Sequence, residues 1–254
     1  MEESPKPITH FKIFGERCSG TYLLEDSIMK NFDIIYWHQK KYGHKHFLGF
    51  EDLSDSDNTL FICTVRDPIK WLNSLYRTPH HLSKEICDSP ENFLTYEVHS
   101  WHYNCPRMRK YSKPNQAPEI MEERNPYTKE PYKNIFELRH VKNQWMLEEL
   151  PKLVKNYIFI RYEDLVNDFE ATMRRIRDKG LKQKDVTQDI QEMKKWMKAR
   201  GDKDVDEKIF EFAQINPEKA VRGWMPNKPC DELKLKAEDY PNEYMKYEKF
   251  FGYL

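Results

Sequence analysis

The sequence predicts an α/β fold: one domain with a central parallel sheet, helices on its faces, and a long irregular insertion over 78–133. Three observations carry that expectation. Short apolar runs alternate with stretches of helical periodicity, the pattern of strand–crossover–strand units. A glycine-bracketed loop, G-E-R-C-S-G-T at 15–21, separates the first apolar run from the first helix-like stretch. Residues 79–131 hold seven of the 15 prolines, so few regular elements are expected there, and long loops of this kind serve as lids or binding loops.

The elements follow in order. FKIF at 11–14 reads as a strand, and TYLLEDSIMKNF at 21–32 spaces Leu23, Leu24, Ile28 and Phe32 at helical intervals. DIIYW at 33–37 reads as a second strand, and KHFLGF at 45–50 as an extended segment near the sheet. LFICTVR at 60–66 is a continuous apolar run of the kind buried in a parallel sheet. Pro68 then opens the helix PIKWLNSLYR, where a missing N–H costs nothing. After the insertion, 134–150 returns to helical periodicity and 157–166 reads as strand then turn. EATMRRIRDKG at 170–180 is a helix stopped by Gly180. EMKKWMKARGDKD at 192–204 is a helix with a solvated face and Trp196 inward, and the tail ending YMKYEKFFGYL is a helix with a short packed terminus.

Composition narrows the function classes. At 254 residues the chain can bury a sizeable core, and aromatic residues at 14% supply large apolar area although hydrophobic residues are only 39%. Forty-two basic and 42 acidic residues cancel, so no global field favours nucleic acid or an anionic membrane. Five cysteines without C-x-x-C spacing, no apolar leader and no run of about 18 apolar residues predict a soluble, cytoplasmic protein.

The 15–21 loop has the two glycines of a nucleotide-hydrolysing phosphate loop, G-x-x-x-x-G-K-[ST], but Thr21 stands where the lysine belongs. Backbone N–H groups of 17–21 with the following helix N-terminus would form an anion cradle; the bland alternative is a tight turn that binds nothing. In VRDPIKWLNSLYR, Arg66 ends a strand and Ser74 follows eight residues on. At the carboxyl end of a parallel strand, an arginine there can fork onto a phosphate. Alternatively Arg66 pairs with Asp67 or Asp26, and Ser74 is an ordinary helix residue.

S-G-T in a strand–loop–helix, R-D-P-x-x-W-L-x-S-x-Y after a later strand and R-Y-E-D-L after a third resemble the P-loop sulfotransferases that use 3′-phosphoadenosine 5′-phosphosulfate. The resemblance covers roughly residues 11–77 and 134–180. It implies that Arg17, Cys18, Ser19, Gly20, Thr21 and Tyr22 bind the 5′ side of the donor, that Arg66 and Ser74 bind its 3′-phosphate, and that no metal is needed. A weaker likeness in AVRGWMPNKP at 220–229 extends the 3′-phosphate site to Arg222 and Gly223. The family's cation directly before S-G-T is Cys18 here, so the leaving-group cation is either Arg17 or Lys45.

HKHFLGF at 44–50 resembles the family segment that carries the base. It implies His46 as general base with Lys45 beside it, a cation that lowers the imidazole pKa and keeps the ring neutral. Glu16, inside the loop, is the rival base. RYEDL is read as structural, its two carboxylates capping the next helix. The implied acceptor is a small molecule or glycan presenting a hydroxyl or amine, and the insertion shapes its pocket. The competing classes are a nucleotide kinase or NTPase on the same loop, and a non-catalytic nucleotide-binding module.

Overall fold

A computed structural model describes residues 6–37, 41–49, 52–83, 85–86, 88–101, 119–195 and 233–254. The chain is α/β, with a four-stranded, wholly parallel sheet in the order β2-β1-β3-β4. Its strands are β1 (His10–Gly15), β2 (Ile35–Tyr36), β3 (Thr59–Val65) and β4 (Asn156–Arg161). Helix α1 (Thr21–Asn31) joins β1 to β2, and α2 (Pro68–Arg77) follows β3. The chain leaves β1 toward β2 on one side and returns to β3 on the other. The crevice between the carboxyl ends of β1 and β3 is therefore the switch point at which such sheets bind ligands.

Strand alternation sorts side chains between two cores. Phe11, Ile13, Leu60, Ile62, Ile158 and Ile160 pack with α1 and with helix α7 (Phe169–Arg177). Phe14, Phe61, Cys63 and Val65 face the other way, against Trp145, Met146 and Leu150. A third cluster joins Trp71, Leu72 and Leu75 of α2 to Phe93 and Tyr132 of the insertion and to Ile135 and Leu138 of helix α4 (Ile135–Gln144). Among its described residues the insertion thus contributes to the packed core.

Several expectations are corrected. The strand expected over 33–37 is two residues long, an edge strand whose Ile35 is 60% exposed. The segment expected to be extended over 45–50 forms turns and bends over its described residues, as do 41–44. They are held to the sheet because Lys12, fully buried on β1, donates from Nζ to the carbonyls of Lys41 and Gly43 at 2.9 and 2.6 Å. The irregular insertion contains helix α3 (Pro90–Thr95), a 3₁₀ turn (Met121–Glu123) and bridges pairing Leu82 with Ser100 and Val98 with Tyr132. The helix over 134–150 is broken into α4, a π segment (Trp145–Glu149) and α5 (Leu150–Leu153). Pro151 lacks an N–H and its ring crowds the carbonyl four residues back, so the turn widens and Leu150 bonds Trp145 instead. YEDL opens a helix, α6 (Tyr162–Asn167), rather than a turn, and Arg161 ends β4. Of the 192–204 helix, 192–195 are helical and the remainder, with Trp196, lies outside the described residues. The C-terminal helix spans Met245–Phe250. Among the described residues, no helix is long and apolar enough to cross a membrane.

Candidate functional site

The 15–21 loop leaves β1 at Gly15, which pairs with Thr64 of β3. A Cβ on Gly15 would come within 2.7 Å of the Thr64 side chain and carbonyl, so only glycine lets the strands meet there. Cys18 and Gly20 both take left-handed conformations, at φ 62° and 78°, which turns the chain sharply into α1. A Cβ on Gly20 would stand 2.2 Å from the Tyr162 ring. Gly20 caps α1 without a side chain, so the amides of the first turn, beginning at Thr21, receive no side-chain cap. Ser19 is buried, and its Oγ has no hydrogen-bond partner among the described residues. A buried orphan hydroxyl beside an uncapped helix start suits an anion.

The arginine-to-serine pair reaches this loop. Arg66 donates from Nη1 to the Cys18 carbonyl at 3.1 Å, and burial raises the pKa of the Cys18 thiol while the neighbouring Ser74 hydroxyl works against that rise. The guanidinium carbon of Arg66 lies 5.0 Å from the centroid of the Tyr162 ring, while its Nε is buried and unpartnered. Trp71, on the helix between them, donates from Nε1 to the Arg17 carbonyl at 2.7 Å.

One peptide unit is clamped on both sides. The Arg66 carbonyl accepts from Nη2 of Arg139 at 2.6 Å, and the Asp67 N–H donates to Oε1 of Glu163 at 3.0 Å. Each clamp is tied to the C-terminal segment: Arg139 forks onto Glu248 at 2.7 and 2.9 Å, and the Tyr253 hydroxyl donates to Glu163 at 2.6 Å. Glu163 therefore braces the β3 terminus rather than capping its own helix, and Asp164 is engaged by Arg161.

Arg17 is not an open cation. Its guanidinium donates to Oε1 of Glu16 (2.8 Å), to the His80 carbonyl (2.7 Å), to the Ser100 hydroxyl (3.3 Å) and to Oε1 of Glu123 (3.3 Å). Lys142 of α4 completes the cluster, reaching Oε2 of Glu16 at 2.6 Å, the His46 carbonyl at 2.7 Å and Oε1 of Glu123. All four side chains are buried. Burial works against the Glu16 charge, but Lys142 and Arg17 outweigh it and bring the carboxyl down to about 2. Burial prevails at Glu123, whose pKa is raised and whose Oε2 has no partner among the described residues. The cluster locks the loop to three points of the insertion.

His46 follows a turn whose Lys45 carbonyl accepts from the Gly15 amide at 3.0 Å. Nδ1 of His46 lies 2.6 Å from the Gly15 carbonyl. That contact requires the Nδ1–H tautomer and leaves Nε2 as an acceptor. Burial, then His44 and Lys45, push the imidazole pKa well below its ordinary value, so the ring is neutral at neutral pH. His44 is brought down to about 3 by burial and by His81 and Lys45. Lys45 Nζ sits 3.4 Å above the Tyr22 ring and 3.3 Å from Glu25.

The structure thus gathers Cys18, Ser19, Gly20, Thr21, Arg66 and Ser74 at the β1–β3 crevice, and turns Arg17 into the insertion. Tyr22 and Lys45 pack together beside the loop, and His46 hangs from Gly15. Arg222 and Gly223 lie outside the described residues. Sequence reasoning missed Tyr162, Trp71, Arg139, Lys142 and Glu123. The first two stand inside the motifs already quoted, whereas a buried cation on α4 has no signal of its own. No protein-family model matches this chain, and neither does any curated protein or solved structure.

Proposed function

We propose that the chain is a P-loop sulfotransferase, moving a sulfuryl group from 3′-phosphoadenosine 5′-phosphosulfate to a hydroxyl or amine of a small-molecule or glycan acceptor. The observation that carries the reading is the hydrogen bond from Arg66 to the Cys18 carbonyl, which brings the end of β3 onto the glycine loop, with Ser74 neighbouring the same cysteine. The unpartnered Ser19 Oγ and Arg66 Nε fit a ligand with two separated anionic groups. When bound, the donor supplies a sulfur–oxygen bond whose electron pair departs onto a phosphate oxygen.

The chain's own groups have distinct tasks. The α1 amides and Ser19 take the 5′ side, and Arg66 with Ser74 takes the 3′-phosphate. Nε2 of His46 accepts the proton of the acceptor hydroxyl. Lys45 supplies positive charge near the leaving oxygen. Arg17, spent on protein partners, positions the loop and insertion instead.

Calorimetry with adenosine 3′,5′-bisphosphate against ATP with magnesium tests this. Binding of the bisphosphate that is indifferent to EDTA is expected; magnesium-dependent ATP binding in its place would overturn the reading in favour of a kinase or NTPase.

A further inference from the structure

Lys45, the cation assigned to the leaving oxygen, already has an anion. Its Nζ lies 3.3 Å from Oε2 of Glu25, and both residues are buried, at 5% and 7% exposed. Glu25 stands in α1 one turn beyond Tyr22, and residues three apart share a helix face. The Tyr22 ring, itself half exposed, joins the two, with Nζ 3.4 Å from its centroid. Burial, and after it the Glu25 carboxylate, raise the pKa of the Tyr36 hydroxyl, so a neutral hydroxyl neighbours Glu25 as well.

The place is a poor one for a cation. A helix N-terminus carries partial positive charge and favours anions in its first turn, yet the first turn of α1 holds no acidic residue. Lys45 is fixed there by its backbone, whose carbonyl accepts at 3.0 Å from the amide of Gly15, where the glycine loop begins. Its ammonium reaches Tyr22, in the first turn of the helix that ends the loop. After burial and the neighbouring histidines, the same charge lowers the pKa values of His44 and His46. A buried cation beside a positive helix end and the orphan Ser19 hydroxyl calls for negative charge. Glu25 supplies it from within the chain.

We propose that Glu25 is a positioning residue that holds Lys45 as an internal counter-ion, and that the 5′-phosphate of the donor takes its place. The proposal rests on the sulfotransferase reading, in which that phosphate lies at the start of α1. The ammonium pivots over the Tyr22 ring from the carboxylate to the phosphate oxygen, and the Tyr36 hydroxyl stays beside Glu25. A carboxylate and a phosphate on one ammonium repel each other, so Glu25 opposes donor binding while it keeps the lysine aligned. Removing its charge should tighten the binding of a 5′-phosphate, whereas loss of a merely structural ion pair would leave that binding unchanged or weaken it.

The test is calorimetry of the full chain with adenosine 3′,5′-bisphosphate, whose 5′-phosphate is the one that bears the sulfuryl group in the donor. Glu25→Gln should bind it about fivefold or more tightly than the wild type, the lower end of ordinary coupling between two sites. Lys45→Met should weaken binding, and in that background Glu25→Gln should change nothing. Equal or weaker binding by Glu25→Gln, or a gain that persists without Lys45, overturns the proposal. Unchanged affinity in Lys45→Met overturns it too, whether or not the Glu25 variant folds. Bisphosphate binding that Glu25→Gln leaves as it was sinks the positioning role alone, whereas no bisphosphate binding by the wild type or by a folded Glu25→Gln sinks the sulfotransferase reading and the role with it.

Discussion

Arg139 donates to the carbonyl of Arg66 at 2.6 Å while the next amide, that of Asp67, is held by Glu163. The peptide plane that aims the Arg66 side chain is fixed by two charged groups, each secured to the chain's last residues. The C-terminal segment, far from the loop in sequence, thereby sets the direction of the proposed 3′-phosphate arginine. Tyr253→Phe removes one tie without opening a cavity. It is expected to cost about 1 kcal/mol of stability and to weaken adenosine 3′,5′-bisphosphate binding while leaving adenosine 5′-phosphate binding unchanged. Equal losses for both ligands, read by calorimetry, would show that the tie serves stability only.

Arg66→Ala tests the contact itself. Loss of a charge-assisted phosphate hydrogen bond is worth about 1.5–3 kcal/mol, and it should fall on adenosine 3′,5′-bisphosphate far more than on adenosine 5′-phosphate. The cation–π contact with Tyr162 is lost as well, so circular dichroism must first show a folded variant. A folded variant that binds both nucleotides as before removes Arg66 from the site.

The buried cluster predicts strong coupling between α4 and the insertion. Lys142→Met strands two carboxylates, Glu16 and Glu123, on Arg17 alone, and breaking a buried pair in this way costs about 3–5 kcal/mol. Glu123→Gln in the same chain should restore part of that, because one fewer buried charge then needs a partner. A double-mutant cycle by urea unfolding should give a coupling of about 0.5–3 kcal/mol; additive single effects would mean that the two side chains do not interact.

Acid sensitivity follows from the histidines. His44, His46 and His80 all have lowered pKa values, with burial the first cause of each, and Lys45, Lys12, Lys142 and Arg17 add repulsion. The unfolded chain therefore binds protons that the folded chain refuses. The stability these rings contribute is complete above the ordinary histidine value of about 6.5 and is lost as pH falls below it, at up to about 1.4 kcal/mol per pH unit for each ring. For His44 the loss continues toward its folded value of about 3. The melting temperature should start to fall near pH 6.5, above the carboxylate range, and His44→Phe should flatten that fall. A melting temperature level from pH 7 to pH 5 contradicts the burial of these rings.

What the sequence made legible follows the rules it obeys locally. The strand at 60–66 and the helix opened by Pro68 appear almost residue for residue, because apolar runs and proline at a first turn signal themselves. The resemblance carried by R-D-P-x-x-W-L-x-S implied a shared role for Arg66 and Ser74, and the end of β3 brings Arg66 to the Cys18 carbonyl. The charged interior was not legible. Lys12, Arg139 and Lys142 are buried, yet such residues in a strand or helix read as a solvated face. Arg17 read as a free cation for the same reason, because Glu123, 106 positions away, leaves no trace in the loop.

The base is the sharpest test of mechanism. Nδ1 of His46 is committed to the Gly15 carbonyl at 2.6 Å, so Nε2 is the nitrogen that can receive a proton. Glu16, the rival, is engaged by Lys142 and Arg17 with its carboxyl down at about 2, which makes it a poor proton acceptor at neutral pH. His46→Ala should leave adenosine 3′,5′-bisphosphate affinity nearly unchanged and reduce turnover by about 10²–10⁴. The wild-type rate should also keep its basic form of His46 to unusually low pH, because the lowered pKa moves the acidic limb of the profile below about 6.5. Near-normal turnover in His46→Ala would remove the imidazole from the chemistry. An acidic limb at the ordinary histidine value would instead place the reacting base on a ring less buried than this one.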